Sequence, residues 1–86
     1  MNYILIVFKS RSETLNFASL LKGQKIPATV VNTPREVSRA CGISIKCFSE
    51  YTAKILELIR FRRYNSYAGM YKVTEFGIRK EIERID

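Results

Sequence analysis

Tyr3-Ile4-Leu5-Ile6-Val7-Phe8 is an unbroken apolar run, mostly β-branched or aromatic, closed by Lys9. A run of this kind reads as a central strand covered on at least one face. Ser10-Arg11-Ser12-Glu13 follows at once as a capping box, with Ser10 at the N-cap and Glu13 at N3. Thr14, Phe17, Ala18 and Leu21 recur at helical spacing, Leu15 and Leu20 widen the stripe, and Gly23 closes the helix. The chain therefore opens as strand, short connection, amphipathic helix.

Working outward, Ala28-Thr29-Val30-Val31-Asn32 reads as a second strand. Ile43-Ser44-Ile45-Lys46-Cys47 alternates as a half-buried third strand should. Ser49 is the expected cap of a second long helix reaching about Arg63, with Ile55, Leu58 and Ile59 on its main stripe. Tyr64-Asn65-Ser66 reads as a loop and Ala68–Val73 as a fourth strand, weakened at Gly69. Residues 74–86 alternate charge with Phe76, Ile78, Ile82 and Ile85, and read as one or two helical turns or a frayed end. The order β-α-β-β-α-β predicts an α+β, ferredoxin-like fold. Its sheet has four antiparallel strands, with two helices on one face. With no repeat, linker or low-complexity tract, residues 1–86 are read as one domain.

Between strands two and three stands Asn32-Thr33-Pro34-Arg35-Glu36-Val37-Ser38-Arg39-Ala40-Cys41-Gly42. Thr33, Pro34 and Glu36 form T-P-x-E. Thr33 is placed to cap, Pro34 sits where its missing N–H costs nothing, and Glu36 can reach back to the Thr33 amide. Gly42 can take the left-handed conformation that stops a helix. An extra short helix from Thr33 to Cys41 is expected. A hairpin needs two to five residues here, about ten are spent, and long loops on small scaffolds tend to hold function.

Composition narrows the chemistry. Lys and Arg number 15 against 8 Asp and Glu, a net charge of +7. Residues 1–47 hold seven cations and two acids, so +5; residues 48–86 hold eight and six, so +2. The excess lies with the half that carries Cys41 and suits an acidic partner, a phosphorylated ligand or nucleic acid, or a solvated surface. Histidine is absent, which excludes Cys-His and Ser-His catalysis within the chain and any His metal site. Two cysteines, Cys41 and Cys47, are too few for a disulfide scaffold, and the run Tyr3–Phe8 is too short for a signal or membrane segment. A reducing cytoplasm is the expected location.

Cys41 is the candidate working thiol. Arg35, Arg39 and Lys46 are close in sequence and would favour its thiolate, against a helix C-terminus that opposes an anion by up to ~1 kcal/mol. The competing reading is a small buried hydrophobe at a helix end. Ser38, three residues earlier, either bonds the thiol or is a plain surface residue. Thr33, Arg35 and Glu36 are either a weak anion site or a capped helix start. Cys47 is read as core; a resolving-thiol role would require it to meet Cys41. The cluster Arg60-Phe61-Arg62-Arg63-Tyr64 mixes cations and rings, as single-strand RNA binders do, and also fits the end of an amphipathic helix. The third strand has no aromatic and the chain lacks the RNP motif, which argues against an RNA-recognition domain.

At these residues the chain resembles the selenium/sulfur carrier protein-like family of small bacterial domains. The resemblance rests on the first strand ending in Phe8-Lys9-Ser10, on Asn32-Thr33-Pro34-Arg35-Glu36-Val37-Ser38, on Cys41-Gly42, and on Ile43-Ser44-Ile45. Gly69-Met70-Tyr71-Lys72-Val73 fits a weaker ending, so about residues 2–73 are covered. The resemblance implies that Cys41 holds sulfur or selenium as a persulfide or selenopersulfide. Thr33, Pro34, Arg35, Ser38 and Gly42 would be its setting. It implies a carrier rather than a stand-alone enzyme; no cofactor is expected, and no metal, because the chain has no histidine and two cysteines six apart cannot close a zinc site alone. The partners would be a donor such as a cysteine desulfurase and an acceptor protein. Nucleic-acid binding is expected to be weak, no membrane is involved, and exposed edge strands leave room for a homodimer. The alternatives are an RNA- or protein-binding module with a structural Cys41, and a redox sensor that pairs Cys41 with Cys47.

Overall fold

The computed structural model describes residues 1–37 and 42–86. It is an α+β protein with one antiparallel sheet and two helices. The strands are β1 (Asn2–Phe8), β2 (Ala28–Asn32), β3 (Ile43–Cys47), β4 (Tyr67–Phe76) and β5 (Arg79–Arg84), and the helices are α1 (Arg11–Gly23) and α2 (Thr52–Arg62). The spatial order is β2-β3-β1-β4-β5, so β3 lies between β1 and β2, and β1 is flanked on both sides. Its pairs are Ile4 with Cys47 and Ile6 with Ile45 on one side, and Leu5 with Tyr71 and Ile6 with Met70 on the other.

The expected four-stranded sheet has a fifth strand. Residues 79–84, read as helical or frayed, pair antiparallel with β4 through a two-residue turn at Gly77 and Ile78. Gly77 takes φ +58°, the positive φ that a tight hairpin turn needs. Period-two alternation of Glu81, Ile82 and Glu83 is what a strand requires, and Val73 opposite Ile82 gives that strand its apolar partner. β4 is also longer than expected. A bulge between Val7 and Phe8 shifts its register from Gly69 to Tyr67.

The apolar run of β1 is continuous because both faces of the sheet are covered. Ile4, Ile6 and Phe8 face the helices and pack with Phe17, Leu21, Ile55 and Ile59. Tyr3, Leu5 and Val7 face the other way and are equally buried, with Val73 and Val37.

Capping follows the expectation only in part. Ser10 accepts from the Glu13 amide, as an N-cap should. The Glu13 carboxylate does not turn back; it accepts from the amide and hydroxyl of Ser66, which tie α1 to the start of β4 and hold its pKa below the usual carboxylate range. Ser49 does not cap α2. Its hydroxyl donates to Asn2, residues Ser49–Tyr51 form a 3-10 turn, and α2 begins at Thr52.

Candidate functional site

β2 and β3 pair in register up to Asn32 with Ile43, and the ladder takes one step more: the Thr33 amide donates to the Gly42 carbonyl at 2.9 Å. The connection between β2 and β3 is thereby closed at its neck. Beside that bond the Thr33 and Ser44 hydroxyls meet at 2.6 Å, with Ser44 fully buried and Thr33 half-buried. Gly42 is exposed with φ +98°, and a Cβ there would meet nothing within 4 Å. Glycine takes this backbone angle without strain, whereas the helix end it was expected to stop falls at Cys41, outside the described residues.

The short helix expected from Thr33 to Cys41 is, among the described residues, a single 3-10 turn, Arg35–Val37. It is closed by the Val37 amide donating to the Pro34 carbonyl at 3.0 Å. Thr33 is not its cap, because the Thr33 hydroxyl is engaged with Ser44. Pro34 is half-buried, and Arg35 and Glu36 are exposed. Val37, 6% exposed, inserts into the cluster of Tyr3, Leu5, Val7 and Val73 on the face away from the helices. Burying such a side chain stabilises the closed loop by about 1.5–3 kcal/mol. Ser38 and Cys41, with Arg39 and Ala40, lie outside the described residues.

Neck and anchor thus bracket residues 38–41 from both sides: Val37 in the core before them, Gly42 on the sheet after them. Thr33, Pro34 and Gly42 come together at the neck and Arg35 stands on the turn. Lys46 does not join them. It is four residues along β3 from Gly42, about 13 Å, and its ammonium lies 4.4 Å from the Tyr3 ring centroid.

Val37 and Ser44 are the supporting residues that sequence reasoning missed. Val37 is a single apolar residue in a polar stretch, and Ser44 sits where the alternation of β3 reads as solvent-facing. Both signals become visible only once the loop is known to fold over that face.

Cys47 is core, as read. It is 3% exposed among helix-facing residues, and burial pushes its thiol up to about 12. The basic-aromatic cluster is divided: Arg60, Phe61 and Arg62 form the exposed last turn of α2, Arg63 caps it, and Tyr64 packs half-buried against Phe8 and Phe17. Phe61 is 82% exposed, and Arg60 approaches Asp86 at 3.7 Å. The sheet face that RNA-recognition domains use carries two rings, Tyr3 on β1 and Tyr71 on β4, but Tyr3 is buried and Tyr71 half-buried in the cluster that Val37 joins, and Lys46 and Arg84 stand over them at 4.4 and 5.9 Å from the ring centroids. Among the described residues no helix is long and apolar enough to cross a membrane.

A family model described as "Putative Se/S carrier protein-like" matches residues 3–72, from the start of β1 into β4. No match was found among curated proteins or among solved structures. The matched span contains the closed loop and its neck, and leaves β5 outside.

Proposed function

This chain belongs to the Se/S carrier protein-like family, and from that premise we propose that it carries sulfur or selenium as a persulfide or selenopersulfide on Cys41. The observation that carries this reading is the contrast between the two thiols. Cys47 is sealed in the core with its thiolate strongly disfavoured. Cargo chemistry therefore falls to Cys41, which directly precedes the exposed Gly42 at the neck of a closed loop.

Loading is an exchange with no net redox change. The Cys41 thiolate attacks the terminal sulfur of a donor persulfide, the donor's S–S bond breaks, and the donor thiolate leaves. Delivery reverses the roles: an acceptor nucleophile takes the terminal sulfur and the Cys41 thiolate departs. Selenium follows the same path. Such transfer needs an accessible thiolate more than a fixed base, which suits a chain without histidine. Arg35, exposed on the turn, favours the anionic forms, and the +5 charge of residues 1–47 steers an acidic donor or acceptor. A reducing cytoplasm keeps the carrier thiol free. We assign the scaffold to the ferredoxin-like arrangement on the order β2-β3-β1-β4, with β5 added at one edge.

Neither alternative gains support. A redox sensor would need Cys47, which faces the helices, whereas the loop is anchored through Val37 on the opposite face. A sheet-face RNA module would need the surface that Val37 covers.

The test is intact mass after incubation with a cysteine desulfurase and cysteine, with and without a selenium source. Wild type and Cys47→Ala should gain one sulfur that reductant removes, and Cys41→Ser should gain none. Equal loading of Cys41→Ser would end the proposal.

A further inference from the structure

The two edges of the sheet differ in chemistry. β5 ends one side with Arg79-Lys80-Glu81-Ile82-Glu83-Arg84, five charged residues in six, a protected edge that resists strand addition. β2 ends the other side with Ala28-Thr29-Val30-Val31-Asn32, which has no charge and no proline. Because Thr33 and Gly42 are a hydrogen-bonded pair, alternation makes Val31 with Ser44 and Thr29 with Lys46 the inward-bonding pairs. Ala28, Val30 and Asn32 then point their N–H and C=O groups away from the sheet, and no bond from these groups to another element is found among the described residues.

A groove of about 270 Å³ lies beside this edge, on the face away from the helices, walled by Thr29 and Val31 of β2 with Tyr3, Lys46 and Phe48. A strand added to β2 would alternate its side chains, and every second one would fall next to Thr29 and Val31 at this groove. The lining is mostly apolar and holds one cation, Lys46, and no acid.

We infer that the β2 edge is a strand-pairing site for an extended, acidic segment of a partner protein, laid along Ala28–Asn32 with apolar side chains at the groove. Charge selects the occupant. From Thr14 to Arg35 the chain has no Asp or Glu, and Lys25 and Arg35 flank β2 at its two ends. A second copy paired antiparallel about Val30 would bring Lys25 of one chain towards Arg35 of the other, with Glu36 facing only Gln24. An acidic strand instead meets cations at both ends and at Lys46. The direction of β2 gives the site its use. It runs from the groove to Asn32, one residue before the loop neck, so a paired segment is led to Cys41's loop. That the segment belongs to a sulfur donor or acceptor rests on the carrier reading; the pairing itself does not.

The experiment titrates labelled protein with a synthetic octapeptide alternating Val and Glu, and with the same peptide carrying Lys for Glu, following backbone amides by NMR. The Glu peptide should shift Ala28, Val30 and Asn32 and slow their exchange, and the Lys peptide should bind about tenfold more weakly. Val30→Pro removes an outward N–H and should weaken binding by about tenfold, with the Thr33 amide still protected as a sign of intact fold. Thr29→Glu, on the exposed edge, should weaken the Glu peptide and favour the Lys peptide even if the proline variant misfolds. Cys41→Ser should bind as wild type does. Shifts confined to β5, no shifts at all, or indifference to both variants would overturn the proposal. So would a dimer in sedimentation that Val30→Pro splits, which would make the occupant a second copy. Pairing without persulfide loading would sink the carrier reading and leave this surface standing; loading without pairing would do the reverse.

Discussion

The two faces of the sheet are covered in different ways. Towards the helices, twelve buried residues interlock among the described ones, and α1 and α2 contribute Phe17, Ala18, Leu21, Ile55 and Ile59 to that layer. Phe8 there is ringed by Phe17, Tyr64 and Tyr67 at centroid distances of 5.2 to 5.8 Å. Away from the helices, Tyr3, Leu5, Val7 and Val73 all come from the sheet, and among the described residues Val37 is the fully buried side chain that the covering loop supplies. One face is a core built from two long elements. The other is a smaller core on which, among the described residues, Val37 packs beside the Thr33 contacts to Gly42 and Ser44. Among the described residues, the helix face therefore buries more side chains than the face that Val37 helps to cover. The helix face holds most of the fold, and Val37 ties the β2–β3 connection to the other face.

The sharpest way to break this comparison is to cut into both faces. Phe17→Ala should cost about 3–5 kcal/mol, lost transfer energy plus a cavity, and should lower the urea midpoint of the whole domain. A small, purely local effect would mean the helix face is not the main core.

Thr33→Ala and Ser44→Ala test the neck. Thr33→Ala strands a fully buried Ser44 hydroxyl and should cost about 1–3 kcal/mol, whereas Ser44→Ala leaves a half-buried Thr33 hydroxyl that water can reach and should cost about 1 kcal/mol. Denaturation of both single variants and the double variant gives the coupling. Equal costs with no coupling would show that the hydroxyl contact does not hold the loop.

Val37→Ala removes the peg. Two carbon groups at about 0.8 kcal/mol each give ~1.6 kcal/mol, spent mainly on the loop. Hydrogen exchange at the Thr33 amide should quicken by about tenfold, since ~1.4 kcal/mol is one decade, while core amides such as Ile6 change little. Uniform acceleration everywhere would mean that both faces open together.

The effect that is smallest at neutral pH, and grows only in alkali, is the loss of stability tied to Cys47. Burial raises the Cys47 thiol to about 12, so the native state keeps a proton that the unfolded chain releases near its ordinary value of 9.0. The stabilising preference is complete below that value and is lost as pH climbs towards about 12, with a slope approaching ~1.4 kcal/mol per pH unit. Cys47→Ala should flatten this decline. Tyr67, also raised, chiefly by burial, leaves a remainder at still higher pH.

Much of the fold was legible from local signals. The run Tyr3–Phe8, the stripe Thr14, Phe17, Ala18 and Leu21, the strand Ile43–Cys47, and the assignment of Cys47 to the core each follow from the pattern of a single element, although Ser44, on the polar side of that strand, is buried too. The positive φ of Gly42 was legible for a similar reason: that residue type is the one that takes the angle without strain. Residues 79–84 were misread because a five-in-six charged segment carries little apolar pattern, and its strand state comes from pairing with β4.

What tertiary structure alone decided is where polar and lone apolar side chains find their partners. Glu13, with a cap within reach, bonds Ser66 fifty-three residues away. Thr33 passes over the helix start it could cap and joins Ser44 across the neck. Val37, surrounded in sequence by charge, becomes the plug of a second core. A short hydroxyl or carboxylate has several partners of nearly equal energy nearby, and one buried valine has no period to announce it. Sequence pattern determined the two helices and the first four strands, and singled out Cys41 and its flanking residues for attention. Only the packed sheet, by bringing β2, β3 and β1 side by side, could choose among those partners and fold the loop over its face.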